Sequence, residues 1–155
     1  EELRGWVHLL NGEAAAAAED GRRILAFVAA QTATEHNAWH RLMLGATGVL
    51  FTGDRPRAVA IALEAVDATP QQFDFVRLYS MQLAARIFAW AGAEDRALDL
   101  LETLSAEFPA LGPAEIVRDP LFSKPLAANA RYVALQARLE SEIRRNRALF
   151  DEQRH

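Results

Sequence analysis

Apolar residues along the chain recur at spacings of three and four, the pattern of helices that bury one face. Trp39, Leu42, Met43, Ala46, Val49 and Leu50 share a face of one such helix. The capping-box spacing Thr32-Ala33-Thr34-Glu35 predicts its start, and it should run to about Thr52. Thr69-Pro70-Gln71-Gln72 combines an N-cap, a proline at the first helical position and a glutamine three residues on. The helix it announces carries Phe73, Val76, Ser80, Leu83, Ile87 and Trp90, with Leu78, Ala84 and Phe88 around them. So apolar a helix is expected to be sandwiched rather than laid on the surface. Asp54 is placed to cap the helix that follows it, and a further helix, partner to the apolar one, runs from about Glu94 and presents Ala97, Leu101, Leu104 and Phe108. Between Pro109 and Pro125 the prolines at 109, 113, 120 and 125 and Gly112 leave room only for short turns, with Asp119-Pro120 as a cap and first helical residue. After Asn129 a final helix should reach about Phe150, with Tyr132, Leu135, Leu139 and Ile143 inward and Arg138, Glu140, Arg144 and Arg145 outward. Glu140 precedes Arg144 by four residues, the favourable order for an ion pair along a helix. At least six helices and no sheet are predicted.

A repeat underlies these elements. Asn11-Gly12-Glu13, Thr52-Gly53-Asp54 and Ala91-Gly92-Ala93 stand at equivalent places, and the glycines are 41 and 39 residues apart. Ala17, Ala58 and Ala97 follow each glycine by five residues, while Gly5, Ala46 and Ala85 precede it by seven. Pro70 and Pro109 come seventeen residues after the second and third glycines, and Ala29 holds that place after the first. A fixed period of this size points to helical hairpins that bury their apolar faces only by stacking.

The offsets resemble the tetratricopeptide repeat (TPR), in which a small residue in the first helix, a glycine at the turn, an alanine in the second helix and a closing proline recur. The resemblance covers residues 1–109 and implies an all-α, TPR-like array of antiparallel hairpins, an α-solenoid. Residues 110–155 would then form a Pro-rich connection and a C-terminal capping helix of the same domain. Because the period exceeds the usual thirty-four or so residues of that repeat, the first helix of each hairpin should be about one turn longer. The string Val117-Arg118-Asp119-Pro120-Leu121-Phe122, with Pro125-Leu126, Arg131-Tyr132 and Leu135, resembles the tail of a group of bacterial multidomain signalling proteins. There a TPR region ends the chain after a winged-helix DNA-binding domain, a serine/threonine kinase or a nucleotide cyclase.

Composition narrows the classes of function. The 155 residues are 51% hydrophobic and 25% charged, a globular balance, and a net charge of −4 provides no basic field for nucleic acid or an anionic membrane. There is no cysteine, which removes disulfides, thiolate metal sites and cysteine nucleophiles. Arg22, Arg23, His40, Arg41 and Arg86 interrupt every apolar run long enough to suggest a membrane span. The opening Glu1-Glu2-Leu3-Arg4 carries no basic-then-apolar leader, so a cytoplasmic piece of a longer protein is expected. Arginine-rich, alanine-rich usage with Lys124 as the single lysine hints at a bacterial source.

Chemistry is sparse. His36 and His40 stand four apart on the expected helix, a spacing that can share a metal, but no third ligand is evident and solvated histidines are the plainer reading. No nucleophile elbow or phosphate-cradling loop occurs, so neither an enzyme nor a cofactor is expected. Arg144, Arg145 and Arg147 are offset by Glu140, Glu142, Asp151 and Glu152. The TPR resemblance supplies the candidate site. Its concave face maps to Trp6 and Leu9, then to His40, Met43, Thr47 and Phe51, then to Tyr79, Gln82, Arg86 and Trp90. Such a mixture of aromatic and polar groups suits a protein or peptide partner. The competing reading puts the aromatics in the core and has Arg86 either paired with an acid or snorkelling out to water. A protein–protein interaction module is therefore expected first, a packing or self-associating element (a homo-oligomer among its forms) second, and a small-ligand or metal-binding domain third. Trp6, Leu9 and Leu10 are further expected to leave apolar surface at the N-terminal edge.

Overall fold

The computed structural model describes residues 1–32, 34, 37–70, 73–108 and 118–152, with side chains through residue 148. Eight helices and no strand occur among them. They are α1 (Glu2–Asn11), α2 (Ala14–Ala30), α3 (Ala38–Phe51), α4 (Arg55–Asp67), α5 (Asp74–Ala91), α6 (Glu94–Glu107), α7 (Pro120–Leu126) and α8 (Ala130–Glu152).

The three glycines of the repeat make one kind of turn. Gly12, Gly53 and Gly92 have φ of 78°, 96° and 82°, a left-handed conformation that disfavours any side chain. The next residue donates its N–H to a carbonyl five residues back: Glu13 to His8 at 2.8 Å, Asp54 to Val49 at 3.2 Å and Ala93 to Phe88 at 2.9 Å. This pairing satisfies carbonyls that a helix end would otherwise leave open. Each turn joins two helices into a hairpin, α1 with α2, α3 with α4 and α5 with α6, and each hairpin packs on the next through α2–α3 and α4–α5. The small residues fall where these helices touch: Ala17, Ala58 and Ala97, and also Ala46 and Ala85, are fully buried.

Helix starts follow the sequence less closely than helix turns. Asp54 caps α4 by accepting from the Arg57 N–H at 3.3 Å, and Asp119 caps α7 from the Leu121 N–H at 2.8 Å, both as expected. Asn129 caps α8, accepting from the Arg131 N–H at 3.0 Å. By contrast α3 begins at Ala38, and the side chain of Asn37 just before it accepts from the Thr34 N–H and donates to the Thr32 carbonyl. α5 begins at Asp74, and Gln71 and Gln72 of the expected Thr69 cap lie outside the described residues. The Thr69 hydroxyl, buried, donates to the Ala65 carbonyl at 2.8 Å and meets the Ser80 hydroxyl at 2.7 Å, tying the end of α4 to the middle of α5. Phe73, expected within the helix, lies outside α5 and is largely exposed. Glu35, Pro109, Gly112, Pro113 and Val117 also lie outside the described residues. The long period is taken up unevenly: α5 has 18 residues against 14 in α3.

α5 is the sandwiched helix, packed by α3, α4, α6 and α7. α8 lies along α6 and buries Tyr132, Leu135 and Leu139. Arg131 there reaches Asp99 at 2.8 Å and Glu102 at 2.7 Å, which draws the Glu102 carboxyl below its usual pKa through the guanidinium hydrogen bond. At the other end Arg4 of α1 grips Asp20 of α2, with Nε 2.9 Å from Oδ1. Asp20 is buried, and the hydrogen bond from Arg4 lowers its pKa. Trp6 is buried rather than left at the edge, its ring edge-on to Phe51 at 5.0 Å. The apolar groups that α1 does expose are Leu3 and Val7.

Candidate functional site

The expected binding residues belong to α1, α3 and α5, and α7 lies against this side of the molecule, touching α1 and α5. Tyr79, Gln82, Arg86 and Trp90 follow one another at helical spacing along α5. Asp119, at the start of α7, uses its two oxygens separately. Oδ1 caps the helix, while Oδ2 accepts from Arg86 Nε at 3.0 Å and Nη2 at 2.8 Å. The same guanidinium stands over the Phe122 ring, 5.7 Å from its centre. One turn along, the Trp90 indole N–H donates to the Leu121 carbonyl at 2.9 Å. On the far side of α7, Lys124 donates to the Leu10 carbonyl of α1. Arg86 thus meets an acid of its own chain, and part of the face is covered by the tail.

Beside the covered part a cleft of about 510 Å³ remains, lined by Tyr79, Gln82, Arg86, Arg118, Asp119 and Pro120. Tyr79 is partly exposed, and the Trp39 ring stands edge-on to it at 6.3 Å, with His40 against Trp39 in turn. Burial, aided by the charge of Glu2, raises the pKa of the Tyr79 hydroxyl, while Arg86 opposes the shift. The phenol is therefore neutral and able to donate. Arg118 is exposed and makes no ion pair among the described residues.

The expected site residues divide into two groups. His40, Tyr79, Gln82, Arg86 and Trp90 retain accessible surface around the α3–α5 face. Trp6, Met43, Thr47 and Phe51 are buried in the core, where Thr47 returns its hydroxyl to the Met43 carbonyl at 3.0 Å. The reason is the narrowness of the array: α1 closes on the end of α3 so tightly that a Cβ at Gly5 would come within 2.1 Å of the Phe51 ring. Asp119 and Arg118 were not anticipated as members of the site. A signal existed, since an arginine within an apolar helix requires a partner and Asp119 stands beside apolar tail residues.

His36 lies outside the described residues, and no group of three metal-ligating side chains gathers among those described. Nor is any described helix long and apolar enough to cross a membrane. No family model matches the chain, and no curated protein or solved structure shows significant similarity to it.

Proposed function

We propose that the chain is a non-catalytic, TPR-like protein–protein interaction module that receives an acidic peptide beside its own tail. The observation that carries this reading is the cleft next to α7, where Arg118 and Arg86 stand beside Tyr79 and Gln82. Aromatic surface with an arginine free of any ion pair among the described residues suits a peptide carboxylate, which a guanidinium can take with two parallel hydrogen bonds. The tail resemblance supports reading the module as the C-terminal, regulatory part of a bacterial signalling or transcription protein, working in the cytoplasm without a cofactor.

The test is fluorescence anisotropy with a labelled acidic pentapeptide ending in a free carboxylate, and with its amidated counterpart. Saturable binding that weakens about tenfold in Arg118→Ala, with the melting temperature unchanged, supports the reading. Absence of saturable binding removes it.

A second reading is favoured by the position of α7 itself. A tail segment seated on the α1–α5 face, held through Asp119, Leu121 and Lys124, suits a packing element that positions another domain and binds no peptide. Under that reading Arg118→Ala changes nothing, whereas loosening α7 alters self-association, which sedimentation velocity detects.

A further inference from the structure

A second cleft lies between α2, α3 and α4, away from the tail. Its volume is about 460 Å³, within the range of small-molecule sites. Leu25, Val28, Leu42 and Ile61 make apolar walls, and Arg41 and Arg57 are the charged groups of the lining among the described residues.

Gly45 belongs to this cleft and explains its depth. A glycine inside a helix is destabilising relative to alanine, so it requires a reason. Three residues on, Gly48 has one: a Cβ there would meet Leu25 Cγ at 3.0 Å and the Gly21 carbonyl at 3.1 Å. At Gly45 a Cβ would meet nothing within 4 Å. Close approach of another helix therefore accounts for Gly48 and not for Gly45. The volume left by the missing side chain opens into the cleft.

Charge identifies the complementary ligand. Among the described residues no acid lines the cleft, whereas Arg4, Arg77, Arg86 and Arg131 elsewhere each meet a carboxylate. Arg41 uses one N–H on the Gln31 carbonyl and has others to offer, and exposed Arg57 makes no ion pair among the described residues. Two guanidinium groups at an apolar cavity complement a molecule with an apolar body and one anionic head.

We propose that this cleft binds a small apolar carboxylate of the medium-chain fatty acid class, its chain against Gly45 and its head on Arg41 and Arg57. The inference stands apart from peptide binding at the tail.

Isothermal titration of the full chain with decanoate, kept below its micelle-forming concentration, and with decanol as the uncharged counterpart, tests it. Saturable one-to-one binding of decanoate is expected. Arg57→Gln should weaken decanoate about tenfold and leave decanol unaffected. Gly45→Leu, which fills the floor, should abolish both while the helical circular dichroism is preserved. Non-saturable uptake, or equal binding by wild type and Gly45→Leu, overturns the proposal. If leucine at 45 unfolds the chain, amide chemical shifts of the wild-type protein decide: decanoate-induced changes confined to α2, α3 and α4 uphold the site, and changes elsewhere reject it.

Discussion

Gly45 and Gly48 sit one turn apart in α3, and their surroundings are opposite. At Gly48 the neighbouring α2 has come in until backbone meets backbone, with Gly21 on the facing surface: a Cβ on Gly21 would stand 2.6 Å from the Gly48 carbonyl oxygen and 2.9 Å from Phe51 Cβ. At Gly45 the helices have spread and left a cleft with arginines in its lining. A missing side chain can therefore serve as a contact or as a void. The neighbouring element decides which, because a tight crossing gains dispersion contacts that an open flank lacks.

The sharpest way to break this comparison is to add one carbon at the crossing. Gly21→Ala should destabilise the chain by about 2–3 kcal/mol in urea unfolding, since the obstructing atom is a backbone carbonyl that cannot rotate away. An unchanged midpoint would mean that α2 and α3 have room to separate. The tail gives an intermediate effect. Asp119→Ala removes a helix cap together with the partner of a half-buried arginine and should cost about 2 kcal/mol. In a double-mutant cycle with Arg86→Ala the two losses should fall short of additivity by at least about 0.5 kcal/mol, whereas strict additivity would show that the pair is not coupled in solution. The smallest effect has the opposite sign. Gly45→Ala should raise stability by about 0.5–1 kcal/mol, because the helix gains propensity and the new methyl group meets open space. A loss there would mean that the flank is closed.

What could be read from the chain, and what could not, follows from how far apart the interacting groups lie. The turns at Gly12, Gly53 and Gly92 were legible because a left-handed residue followed by a pairing five residues back is a local event. The caps at Asp54 and Asp119 were legible for the same reason. The bonds of the buried Thr69 hydroxyl to the Ala65 carbonyl and to Ser80 were not legible, because Ser80 stands on another helix, eleven residues along the chain. The family overlay named the accessible α5 residues together with Met43, Thr47 and Phe51, which packing withdrew from the surface. Neither the closeness of α1 to α3 nor the seat of α7 is encoded within one repeat. Arg86 and Asp119 are 33 residues apart, and their pairing depends on the path between them. The Gly45 cleft passed unnoticed because nothing local distinguishes it from Gly48.

Three hairpins in a row that touch only their neighbours could come apart one at a time, since each boundary would open independently. α7 changes this, because it reaches α5 of the last hairpin and α1 of the first, where Lys124 meets a carbonyl 114 residues earlier in the chain. The array is clasped end to end. Its denaturation should accordingly follow a single steep transition rather than a series of shallow ones, and its folding should wait on the slow closure of that long loop.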